Sequence, residues 1–168
     1  MPPQQSFDVT TGVDLQEVDN AVNQARKEIQ QRYDFKGKKA EIEYDRKAAT
    51  LTLHAQDEFY LEQMWAVLQG RLIGRKVPVK NMRRGAVEQA SGGTVRQVVK
   101  MQQGLPQELA RSIVKTIKDA KFKKTQAQVQ ADAVRVFSPS RDELQEVIAL
   151  LKQQTYDVEL KFENYRTQ

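Results

Sequence analysis

One order of hydrophobic periodicities, strand-helix-strand-strand-helix-strand, runs twice along this chain and restricts its fold more than any other feature. Ser6–Thr10 alternates polar and apolar residues as a short strand. Asp14, with Glu17 three residues later, opens a helix in the manner of a capping box. Leu15, Val18, Val22, Ala25 and Ile29 then form one helical stripe that ends near Tyr33. Ala40, Ile42 and Tyr44 alternate with Glu41 and Glu43; after a turn at 45–47, Leu51, Leu53 and Ala55 alternate with Thr50, Thr52 and His54. Two such runs predict a hairpin. Asp57 caps a second helix carrying Leu61, Trp65, Leu68 and Leu72, and Lys76–Asn81 is read as the closing strand.

The second half repeats this order. Val95–Met101 is a strand, and Pro106 stands where a helix begins. Leu109, Ile113 and Ile117 make its stripe; Ala127 with Val129, then Val134 with Val136, give two short strands. Ser140 and Glu143 open a helix containing Leu144, Val147, Ile148 and Leu151, and Val158, Leu160 and Phe162 alternate in a last strand. The predicted class is α+β: two tandem ferredoxin-like βαββαβ units, each an antiparallel sheet with two helices on one face. The division is placed at residues 1–90 and 91–168, with Arg83–Gly93 as linker or as a strand around Ala86–Gln89. Ser6–Thr10 pairs with the first sheet or with the second, and the latter pairing makes the second domain discontinuous. Units this short sit near the lower limit of independent stability, so they are expected to pack on each other.

Side chains that alternate with the apolar set face away from the helices. They are Glu41, Glu43, Thr50, Thr52 and His54 in the first unit. In the second they are read as Arg96, Lys100, Gln126, Gln128, Gln130, Arg135 and Lys161, with Phe137 the only aromatic near that face. RNA-binding sheets of this topology stack bases on paired aromatics, so this pattern counts against that use. One acidic face and one basic, amide-rich face are complementary, which offers a way for the units to meet.

Net charge is +5, which favours an anionic partner: nucleotide, nucleic acid or acidic protein. The charge concentrates in two stretches, Arg71, Arg75, Lys76, Lys80, Arg83, Arg84 and Arg111, Lys115, Lys118, Lys121, Lys123, Lys124. Arg111, Lys115 and Lys118 share a helix face. Each stretch reads either as a solvated face or as a collective phosphate clamp. The loop Arg32-Tyr33-Asp34-Phe35-Lys36-Gly37 joins cations and aromatics at a helix end. It reads either as a base-stacking, phosphate-holding loop or as a helix stop, with Phe35 as anchor and Gly37 as turn residue.

Catalytic chemistry finds little support. His54 is the only histidine, there is no cysteine, and neither a phosphate-binding glycine loop nor a dinucleotide fingerprint occurs. No catalytic residue, metal ligand or cofactor is assigned. Absence of cysteine, of an apolar run long enough for a membrane span, and of a signal-like start at Met1–Ser6 together point to the cytoplasm.

Several segments resemble the YajQ-like family: Ser6–Val9, Val13–Ala25, Arg32–Gly37, Ile117–Asp119 followed by Gln126–Gln130, and Val134–Val136 followed by Ser140–Gln145. The likeness spans nearly the whole chain. It implies tandem ribonucleoprotein-like domains, nucleotide binding that in some members is of cyclic di-GMP, links to transcription regulators, and no enzymatic activity. Ser138-Pro139 stands where the family pattern has a Gly-Lys pair, so no phosphate contact is carried to that loop, although Arg141 lies beside it. The expectation is an effector for cyclic di-GMP or a purine nucleotide such as GTP or ATP, using Arg32, Phe35, Lys36, Gly37, Lys80, Arg83, Lys115, Lys118, Lys121 and Arg141. The alternative is an RNA- or DNA-binding protein with the same basic surface. An adaptor that binds only proteins is a third reading.

Overall fold

The computed structural model describes residues 3–167; Met1 and Pro2, part of the stretch read above as unlike a signal, lie outside the described residues. Among the described residues, four α-helices and eight strands follow the predicted order, but the last strand begins only at Lys161: Val158 and Leu160, read as part of it, pack on the core from the segment before it. The elements are β1 (Gln5–Thr10), α1 (Leu15–Gln31), β2 (Ala40–Asp45), β3 (Thr50–Ala55), α2 (Glu58–Gly74) and β4 (Met82–Gln89). β5 (Val95–Met101), α3 (Gln107–Asp119), β6 (Gln126–Gln130), β7 (Ala133–Ser138), α4 (Arg141–Gln153) and β8 (Lys161–Thr167) follow. No described helix is long and apolar enough to cross a membrane.

Local chemistry starts the helices as read. The Asp14 carboxylate accepts from the backbone N–H of Gln16 and Glu17, and that of Asp57 from Tyr60. Such caps satisfy donors that the first turn leaves open. Ser140 Oγ accepts from Glu143 N at 3.2 Å, but the Glu143 carboxylate turns away to the backbone N–H of Lys124 and the hydroxyl of Thr125. Only half of the expected capping box forms there, and the same holds at Asp14, where the Glu17 carboxylate accepts from the Asn20 amide and from Arg75.

The strands make two antiparallel four-stranded sheets, ordered β2-β3-β5-β4 and β6-β7-β1-β8. Both are the ferredoxin-like arrangement. Read by position in the sheet, though, the opening strands are exchanged between the two repeats. β1 lies between β7 and β8, with Phe7 opposite Val136. β5 lies between β3 and β4, with Leu51 opposite Val99. The chain accordingly divides into a continuous unit, residues 13–103, and a discontinuous one, residues 3–12 with 104–167. A boundary at residue 90 would separate β5 from the strands it is bonded to. Each unit has its own core: Val22, Leu53, Leu68 and Val99 in the first; Phe7, Ile113, Val136 and Leu144 in the second.

The strand expected over Lys76–Asn81 is instead a turn. Lys76 has φ +60° and Val79–Asn81 is one turn of 3₁₀ helix, because Pro78 has no N–H for a ladder. The strand begins one residue later and occupies most of the expected linker, Met82–Gln89. It carries a bulge between Arg84 and Val87. There the buried Gln97 donates to Gly85 O at 2.7 Å and accepts from Arg84 Nε at 3.1 Å. A Cβ on Gly85 would come within 3.0 Å of Val98 O.

Candidate functional site

The ten residues proposed from the sequence fall in three places. At the α1–β2 corner, Arg32 is occupied: its Nε and Nη2 donate to Asp34 at 3.0 and 2.6 Å, and Nη1 lies 3.8 Å from Glu28. The hydrogen bond from Arg32 holds the Asp34 carboxyl below its ordinary value and, reciprocally, raises that of the guanidinium. The same guanidinium lies 5.1 Å from the Phe35 ring centroid, and Tyr60 packs on Phe35 at 5.9 Å. With 4% of its surface exposed, Phe35 is a core anchor and offers no face to a base. Lys36 is exposed, and Gly37 turns the chain at φ +75°, where other residues are strained. Phe35, Lys36 and Gly37 line a shallow cleft of about 300 Å³ with Ile29, Lys38 and Ala40.

Lys80 sits in the turn before β4. Arg83, on β4, lies across from Lys100 of β5, on the sheet face away from the helices. β4 and β2 are opposite edges of that sheet, three strand spacings or about 14 Å apart. Arg83 therefore does not gather with the α1–β2 corner. Arg96 and Lys100, assigned from the sequence to the second unit's face, also belong here: the register aligns Glu41, His54, Arg96 and Glu88 in one row, and Asp45, Thr50, Lys100 and Arg83 in another. This mixing of signs reduces the acid–base contrast expected between the two faces. His54 Nε2 is 2.8 Å from Glu43 Oε1, and Arg96 Nη2 is 2.5 Å from Glu88.

In the other unit, Lys115 is paired with Asp119 at 2.9 Å. Lys118 lines a cleft of about 250 Å³ with Val114, Ile117, Thr125, Gln126 and Ala127. Lys121 ends α3 in the left-handed region, φ +57°. The loop that carries it is tied by Glu143 to the first turn of α4, which starts at Arg141. Lys118, Lys121 and Arg141 thus do share one end of their unit.

A fourth place holds a markedly polar arrangement. On the open face of the β6-β7-β1-β8 sheet, Gln4, Ser6, Gln128, Gln130, Arg135, Phe137 and Arg166 line a cleft of about 320 Å³. One row of the sheet runs Gln126, Phe137, Ser6, Arg166; the next runs Gln128, Arg135, Asp8. A β-bulge between these rows, with Asn164 at φ +57°, turns the Asn164 amide onto Asp8. Arg135 Nε donates to Asp8 Oδ1 at 2.9 Å, Asn164 Nδ2 to Oδ2 at 3.0 Å, and Arg166 stands 3.6 Å away. Burial alone would raise the Asp8 pKa, but the hydrogen bonds from Arg135 and Asn164 and the two guanidinium charges outweigh it and hold the carboxyl below its usual value. The hydrogen bond that Arg135 donates to Asp8 raises the Arg135 pKa in turn.

Chemically, this face combines one partly exposed ring, two cations and several amides. Phe137 and Arg135, two residues apart on one strand, stand about 7 Å apart. Sequence reasoning named Phe137, Arg135, Gln128 and Gln130 as facing residues but missed Ser6 and Arg166. The signal for Ser6 was its alternation with Phe7 and Val9; only the exchange of β1 shows which cleft it lines. Among the described residues there is no cluster of potential metal ligands.

A model of the family described as nucleotide-binding protein YajQ-like matches residues 5–166. A nucleotide-binding protein of Koribacter versatilis (strain Ellin345) is 49% identical over 162 residues, 96% of this chain and 97% of that one. One of Magnetococcus marinus is 52% identical over 161 residues, 96% and 98% of the two chains. One of Bacillus cereus (strain AH187) is 46% identical over 166 residues, 99% and 100%.

Proposed function

This chain belongs to the YajQ-like family of nucleotide-binding proteins, and from that premise we propose that it binds a purine nucleotide on the open face of its β6-β7-β1-β8 sheet. The observation that carries this reading is the placement of Phe137 in one cleft with Arg135 and Arg166. The ring stacks on the base, Gln128 and Gln130 meet its polar edges, and the guanidiniums take the phosphate. Asp8 holds Arg135 in place, so little side-chain freedom is lost on binding. Lys118, Lys121 and Arg141 supply a second cationic surface in the same unit. Cyclic di-GMP, GTP and ATP are the ligands to test, and the protein acts as an effector: occupancy changes its affinity for a protein partner such as a transcription regulator, which requires the two affinities to be coupled. Calorimetric titration with each of the three ligands tests binding. Heat with at least one, abolished or much reduced in Phe137→Ala, supports the reading; no heat and no thermal shift with any overturns it.

A second reading rests on the same face. An aromatic on a central strand of a ferredoxin-like sheet, beside arginines, is also an arrangement that stacks single-stranded RNA. Its mark is an affinity for oligonucleotides that exceeds that for mononucleotides and falls steeply with salt.

A further inference from the structure

The two units carry equivalent grooves where a helix covers an edge strand, and they treat that edge differently. In residues 13–103, the groove between α1 and β2 is lined by Arg26, Ile29, Gln30, Ala40, Glu41 and Ile42. Arg26 closes the edge: Nε and Nη2 both donate to Ile42 O, at 3.1 and 2.6 Å. A side chain bonded to an edge carbonyl blocks strand addition there.

In the other unit, α3 covers β6, the edge of its sheet. Matching Ile29 to Ile117 and Ala40 to Ala127 sets Val114 where Arg26 stands. Val114 has nothing to donate. Among the described residues, no side-chain hydrogen bond reaches the backbone of Gln126–Gln130. β6 itself reads Gln-Ala-Gln-Val-Gln, with neither the charge nor the proline that guards an edge. What remains is a groove floored by Val114, Ile117 and Ala127 and rimmed by Lys118. Exposed Lys121, Lys123 and Lys124 lead into the strand, and the intervening acid, Asp119, is taken by Lys115.

We infer that the β6 edge is a docking site for an extended acidic segment of a partner protein, which adds to the sheet as a fifth strand. Main-chain hydrogen bonds to β6 hold it, small apolar side chains at alternate positions enter the groove, and flanking carboxylates meet the lysines. A partner segment is favoured over a second copy because its flanking carboxylates meet the lysines, whereas the β6 strand of a second copy carries no charge of its own. The inference uses the edge of the sheet and not its face; it shares Lys118 and Lys121 with the nucleotide reading, and Val114→Arg, which alters neither those lysines nor the open-face cleft, separates the two.

The test uses the full chain and a fluorescein-labelled nonapeptide of alternating Val and Thr with two Glu at each end. Polarisation is expected to show saturable binding, at least tenfold tighter than for the same peptide ended in Lys. Val114→Arg, which installs the closure found in the other unit, weakens binding at least tenfold, and Lys118→Glu with Lys121→Glu does the same. Circular dichroism checks that each variant is folded. Independently of any variant, peptide binding slows amide hydrogen exchange within Gln126–Gln130 of the unsubstituted protein. Absence of peptide binding, equal binding of the Lys-ended peptide, or binding with no added protection of β6 overturns the inference. So does a dimer in sedimentation that Val114→Arg converts to monomer, because the occupant would then be a second copy.

Discussion

Phe137→Ala tests the ligand reading most directly, because it removes a ring from the open sheet face and leaves the opposite, core face alone. Phe137 lies in one row with Gln126, Ser6 and Arg166, whereas its neighbour Val136 is buried in the core. Loss of one base–aromatic stack costs about 1–3 kcal/mol, so Kd should rise about 5- to 150-fold. The guanidiniums remain, so the residual affinity should be carried by phosphate and should fall with added salt more steeply, relative to its strength, than in the unsubstituted protein. Calorimetry at two salt concentrations measures both effects, and Phe137→Tyr should restore most of the affinity by returning a ring. The reasoning is refuted if folded Phe137→Ala binds the same nucleotide as tightly as the parent protein.

Three further outcomes concern the fold. Residues 13–103 alone should unfold cooperatively, because they contain every strand of their sheet, whereas residues 1–90 should not, because they lack β5; denaturant melts of the two fragments decide this. Gly104→Ala should destabilise the discontinuous unit by about 2–4 kcal/mol and lower its Tm by at least about 10 °C in calorimetry. The position has φ +79°, and an added Cβ would stand 2.7 Å from Cβ and Cγ of Asp132. Asp8 has a folded-state pKa held below its unfolded value. Its contribution is therefore complete above the unfolded value, about 4, and is lost as pH falls through the lower folded value; the stability gap between the parent and Asp8→Asn, measured by urea melts, should close over that window.

The helices were readable because their stripes and caps are local: Val18, Val22, Ala25 and Ile29 face one core, and Asp14 satisfies the first turn within three residues. The hairpins were readable for the same reason. β4 was not, since Met-Arg-Arg-Gly-Ala-Val-Glu-Gln is an edge strand with only Met82 buried and a bulge that breaks its alternation. The partner of β1 was left open because backbone hydrogen bonding carries no residue code, and the choice is made by Val134 and Val136 far along the chain. The clefts suffer from the same distance: Ser6 and Arg166 stand at opposite ends of the sequence. Clustered charge was visible, but its use was not. Arg32 and Lys115 are taken up by Asp34 and Asp119, while Arg135, likewise paired with Asp8, lines a polar cleft with Phe137 and Arg166.

The exchanged opening strands also bear on how the chain is made. The unit 13–103 is complete as soon as its last residue leaves the ribosome, and it can fold while synthesis continues. β1 emerges first yet has no partner until β7 appears, a wait of roughly ten seconds at ordinary elongation rates. Throughout that interval Ser6–Thr10 is an unpaired strand, exposed to other nascent chains. The charge of Asp8 in its middle discourages such contacts, and the same carboxylate later receives Arg135. One side chain thereby guards the strand early and anchors Arg135 on the open sheet face late.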